Sequence, residues 1–228
     1  EHEARPIFDL DLPLRPGRID PPAGHHLAPS LRDALPDRWG RRVLARGQPG
    51  PRASALEADD IDEMDVMLRS GSDRIGALDF QISATDYVPR ECPNVALEDL
   101  MGFGDVVAEG RGLPPALDRA IVHATSAVGG ARPKALVTDL GEFGARRLIA
   151  KFSSAADTIP MVRGEFMAMR LAAAAGLDVA PVELARIAGR DVLLVERFDR
   201  ASTGSGWARR RRSTNSRRTI SPTKRSPP

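Results

Sequence analysis

Cysteine is nearly absent: Cys92 is alone among 228 residues. A single thiol excludes a disulfide framework and a zinc site built on cysteines. Cys92 stands beside Pro93, with no evident base to activate it. Histidine is scarce too, and His2, His25, His26 and His123 lack metal-ligand spacing, so they read as loop or surface residues. No apolar run approaches the length of a membrane-spanning helix. The opening "EHEARPIFDL" has no basic region leading into an apolar one, so a secretory signal is not expected. These absences fit a reducing cytoplasm. The chain begins with Glu1 rather than Met, and further residues are expected upstream.

Acidic residues are missing from the C-terminal tail. The last 22 residues, "WARRRRSTNSRRTISPTKRSPP", hold eight Lys and Arg and no Asp or Glu. The remainder carries 25 basic against 31 acidic residues and is mildly acidic. Residues 201–228 hold one Trp, few aliphatics and much Ser, Arg and Pro. They bury too little apolar surface to offset ordering entropy, and disorder is expected there.

An apolar fraction of 42% fits a globular body. Residues 1–30 show no period. Leu31–Gly47 reads as a helix with Pro36 in its first turn, Gly47 as the stop, and Trp39, Val43 and Leu44 on one face. Residues 59–71 read as a helix with acids early, and 73–83 as a strand. "LEDLMGFGDVVAEG" and "PALDRAIVHATSA" read as helices. From Ala135 the rhythm changes to strand, strand, helix, strand, strand. "ALVTDL" and "ARRLIAKF" are joined by "GEFG". Residues 161–178 form the helix, with Phe166, Met169, Leu171 and Ala173 among its apolar positions. A second hairpin turns around Gly189-Arg190. The expected fold class is α+β: a helical subdomain at 1–125, a small antiparallel sheet with one helix at 126–200, and the basic tail at 201–228.

The chemistry concentrates in "GGARPKALVTDLGEFGARRLIAKF". Gly129 and Gly130 allow backbone N–H groups to close around phosphate oxygens. Arg132 and Lys134 add positive charge. Lys151 falls on the second strand beside Ile149, and Glu165 follows fourteen residues later on the helix. A strand lysine, a helix glutamate and a following hairpin are the layout of a kinase N-terminal lobe. "VERFDR" at 195–200 takes the hinge position.

On "DALPDRWGRR" (33–42), "DRIGAL" (73–78), "GGARPKA" (129–135), "IAKF" (149–152), the Glu165 helix and "VERFDR", the chain resembles the HipA family, serine/threonine kinase toxins of bacterial type II toxin–antitoxin systems. The motifs run in family order across about 31–200. The resemblance implies a phosphate loop of Val128, Gly129, Gly130, Ala131, Arg132 and Lys134. It implies a phosphate-contacting lysine at Lys151, its helix partner at Glu165, and hinge positions beside adenine at Glu196 and Phe198. It implies ATP and Mg as cofactors. The implied partners are a helix-turn-helix antitoxin of the HipB type and, as substrate, a glutamate-tRNA ligase.

Three features depart from the family. Its autophosphorylated serine falls at Ala127, with Ser126 one residue earlier as the candidate. Its N-terminal sheet begins upstream of Glu1. Its C-lobe, with the catalytic and metal-binding aspartates, should follow "VERFDR", where the basic tail stands instead. A frameshift accounts for such a change. No catalytic residue and no metal ligand is therefore assigned here, and a chain without independent catalysis is expected. Two other readings stand beside the kinase: a non-catalytic remnant that binds antitoxin or nucleotide, and a tail that binds nucleic acid nonspecifically. Otherwise nucleic acid is met only through the antitoxin, and no membrane contact is expected.

Overall fold

Proline and acidic caps divide the N-terminal part into short helices. The computed structural model describes residues 6–48, 55–90, 95–111, 119–141, 144–154 and 157–200. The expected helix over Leu31–Gly47 is two helices, α1 (Pro29–Asp33) and α2 (Arg38–Arg46). Pro36 lies ahead of the second, not in its first turn, because a proline ring cannot follow an unbroken helical turn. Gly47 ends α2 as expected, and Trp39, Val43 and Leu44 are buried. In α3 (Glu63–Arg69), Asp62 caps the N-terminus by accepting from the Met64 N–H at 2.8 Å. Helices α4 (Leu97–Ala108) and α5 (Arg119–Ser126) complete this part.

The expected strand at 73–83 does not form. Arg74 turns inward and donates to the Met67 carbonyl at 2.6 Å, with its guanidinium 5.0 Å over the Phe80 ring. Asp79 accepts from Arg90 at 2.8 Å, while Ile82 is left 89% exposed. Buried side-chain bonds, not a ladder, fix this segment. Alternating apolar residues make a strand only where a partner strand is in reach.

The second half follows the expected order. Strands β1 (Lys134–Gly141) and β2 (Gly144–Phe152) form a hairpin, α6 (Met161–Ala174) crosses, and β3 (Val182–Ile187) and β4 (Arg190–Glu196) form the second hairpin. The sheet runs β1-β2-β4-β3, antiparallel throughout, and the fold is α+β. The second turn is Ala188-Gly189, with φ of 45° and 78°, the double positive φ of a two-residue hairpin. Arg190 already belongs to β4.

Pleating separates two faces. Leu148, Ala150 and Phe152 of β2 pack with Val192, Leu194 and Ala135, and with Leu100, Met101 and Ala124 from the helical part. One core therefore crosses residue 126. Lys134, Leu136, Ile149 and Lys151 share the opposite face, against which α6 lies. Helix α6 is lightly covered: only Val162 is buried, while Met167 and Leu171 are exposed.

Candidate functional site

The loop 127–133 leaves α5 through Ala127 and Val128, both buried against Leu136. Gly130 has φ 96°, and a Cβ there would stand 2.6 Å from Lys134 Nζ. Only glycine fits this bend and leaves room for the ammonium. The N-terminus of α2 docks the loop. Asp37 Oδ2 accepts from the Gly130 N–H at 2.8 Å, the Trp39 N–H donates to the Gly130 carbonyl at 2.8 Å, and Trp39 Nε1 donates to the Lys134 carbonyl at 3.0 Å. Gly40, one position on, lets α2 approach α5 closely, since a Cβ would come 2.3 Å from the Ser126 carbonyl oxygen.

Below the loop, Lys134 and Lys151 face each other across β1 and β2. Lys134 is 6% exposed. Burial, followed by the like charge of Lys151, pushes its ammonium down to about 8, against the pull of Asp37 and Glu165. Lys151 donates directly to Glu165 of α6, the expected pair. Both side chains are partly exposed, at 31% and 43%. Arg132 donates to Asp157, which also accepts from the Ser154 N–H at 3.0 Å. Burial alone would raise the Asp157 carboxyl, but the Arg132 bond, the Ser154 N–H and the charges of Arg132 and Arg190 together hold it below its ordinary value. Ala131 is exposed at the loop's tip.

At the far end of β4, Glu196 pairs with Leu148 and its N–H donates to the Pro181 carbonyl at 2.9 Å. Phe198 is 89% exposed. Arg197 between them is buried. It donates to the Arg74 carbonyl at 2.7 Å and to Asp199, and pairs with Asp73 at 2.9 Å. Asp199 accepts from the Gly76 N–H at 3.0 Å, and the Arg197 bond is the chief cause that brings its carboxyl to about 2. "VERFDR" is thus zipped onto "DRIGAL". Ser126 is fully buried, and its hydroxyl accepts from the Gly71 N–H at 3.3 Å. A phosphate reaches it only if the end of α5 opens.

The structure brings Gly130, Arg132, Lys134 and Lys151 to one side of the sheet, and sets Glu196 and Phe198 at the end of the neighbouring strand. Asp37, Trp39 and Asp157 were missed as contributors by sequence reasoning. Asp37 and Trp39 lie inside a quoted motif, but no spacing rule ties them to a loop more than 90 residues on. Backbone N–H, two ammonium groups and one guanidinium converge at the loop, a donor set suited to an oxyanion. Among the described residues, no group of three His, Cys, Asp or Glu could hold a metal ion, so they do not by themselves fit magnesium. No helix among them is long and apolar enough to cross a membrane.

Residues 126–222 match the family of the HipA-like C-terminal domain. The match supports the resemblance to the HipA family over this part of the chain. The match begins at the end of α5 and takes in the glycine loop, the whole sheet and α6. It continues to residue 222, beyond the described residues, where the expected disorder of the tail also falls. No curated protein matches the chain.

Proposed function

We propose that this HipA-like chain binds ATP through its phosphates, as the nucleotide-holding part of a serine/threonine kinase toxin. The observation that carries the reading is the pair of lysines, Lys134 and Lys151, facing each other beneath the Gly129–Gly130 loop with Glu165 bonded to Lys151. The loop fits phosphate because Gly130, at a φ of 96° that suits glycine, lets the Lys134 ammonium come close to the backbone N–H of the bend. Lys134 and Arg132 bring charge to its edge. Glu165 orients Lys151, and the bonds of Arg197 to the 73–76 segment fix the strand end where adenine would lie. ATP, when bound, supplies the phosphoryl group for a protein hydroxyl.

These 228 residues bind and orient but do not transfer phosphate unaided, because phosphotransfer needs a positioning aspartate and magnesium-holding carboxylates. By the same reading the chain works in the cytoplasm, with a HipB-type antitoxin as partner and glutamate-tRNA ligase as substrate of the complete kinase. Calorimetry tests the binding step. ATP should bind the purified chain, and Lys151→Met should weaken binding at least tenfold, as loss of a charge-assisted contact of about 1.5–3 kcal/mol requires. Equal binding by wild type and variant would refute the reading. Labelled ATP with glutamate-tRNA ligase should give no label above background.

A further inference from the structure

Three of the site's donors are already matched by carboxylates of the chain itself. Arg132 is held by Asp157 and Lys151 by Glu165. The Gly130 N–H donates to Asp37 Oδ2 at 2.8 Å, and a Cβ at Gly129 would stand 2.8 Å from the same oxygen. The carboxylate therefore lies against the loop backbone, where a phosphate oxygen would sit. Asp37 is also the N-cap residue of α2, and an N-cap aspartate ordinarily accepts from an amide of its own first turn. Here it makes no such bond. It reaches instead across 93 positions of sequence to the loop.

We infer that Asp37 stands in for a bound oxyanion: it fills the anion position of the loop in the ligand-free chain, and a nucleotide phosphate enters by displacing it. This rests on the reading that the loop binds phosphate. Two destinations are open to the displaced side chain. One is the unused cap of α2. The other is a cleft of about 380 Å³ that Asp37 lines with Arg38 and Arg41. Arg41 already pairs with Glu63 at 2.6 Å, whereas Arg38 enters no ion pair among the described residues. The two Trp39 bonds keep the loop docked while Asp37 leaves, so displacement need not unfold the site.

The test compares wild type with Asp37→Asn, which keeps the shape and removes the charge. Calorimetry with ATP and with inorganic tripolyphosphate should show the variant binding about fivefold to tenfold tighter, the effect of removing a like charge near 4 Å in a solvated site. Equal or weaker binding by the variant overturns the inference. Backbone NMR gives a readout independent of affinity. The Gly130 amide resonance should move on the Asp37→Asn change, and wild type with saturating ATP should lose the Asp37 contact. If neither protein binds ATP or tripolyphosphate while the Gly130 resonance still responds to the substitution, the contact stands, but the phosphate reading fails and displacement fails with it. A Gly130 resonance indifferent to the substitution overturns the contact itself.

Discussion

Lys134 is held charged and buried beside a second lysine, and the fold bears the cost. Its ammonium titrates near 8, well below the ordinary 10.5. Between those values the unfolded chain binds more protons than the folded one, so stability rises as pH increases from about 8 to about 10.5. Below about 8 both states are protonated and the burden is full. Lys134→Met should therefore stabilise the chain at pH 7 by about 1–3 kcal/mol and flatten that rise, as read from urea midpoints at pH 7 and 9.5. An unchanged slope would show that another group drives it. Asp199 works in the opposite sense. Its carboxyl lies near 2 because Arg197 donates to it. Its contribution is present above the ordinary carboxylate value of 3.8 and is lost as pH falls toward 2. Asp199→Ala should cost about 2 kcal/mol at pH 7 and little at pH 2, measured by the same unfolding series.

Two contacts between elements decide how the loop is presented. Helix α2 meets α5 where Gly40 faces the Ser126 carbonyl oxygen, 2.3 Å from where a Cβ would stand. Gly40→Ala must move the helices apart, and the expected cost is about 1–3 kcal/mol in the denaturation midpoint. The shift should also loosen the Trp39 bonds that hold Gly130, which proteolysis at the loop would register. Helix α6 meets β2 through Lys151 and Glu165. Both are partly exposed, so the pair is stabilising by only about 0–1 kcal/mol. A double-mutant cycle of Lys151→Met and Glu165→Gln should give coupling in that range. A coupling of several kcal/mol would mean the site is far drier than its exposure indicates. The pair serves direction more than stability: it orients the lysine on the sheet face that also carries Lys134.

The whole molecule shares one core between its helical part and its sheet. Leu100, Met101 and Ala124 pack on Ala135, Leu148, Ala150 and Phe152, and Arg190 of β4 pairs with Asp105 of α4. Residues 126–200 alone would expose that sheet face to water. Expressed alone, they should bind a hydrophobic dye and unfold without a cooperative transition, while 1–200 should unfold in one step. Cooperative unfolding of the short piece would show that the sheet and α6 are self-sufficient.

The sequence alone determined the order of elements from Ala135 onward, because hairpin turns, apolar alternation and a long helical stretch are local signals. It also determined the phosphate-loop candidate and the Lys151–Glu165 pairing, since lysine and glutamate fall on elements that the order of the chain makes neighbours. The structure differs from the sequence expectation at 73–83, where side-chain bonds fix an irregular segment in place of a strand, and at Pro36, where one helix is two. What only the tertiary structure decided was the long-range closure: Asp37 on Gly130, Arg197 on the 73–76 segment, and the core that joins α4 to the sheet. Each brings together residues that are remote in sequence. Periodicity reports which face of an element is apolar, but not which distant backbone group a side chain will meet.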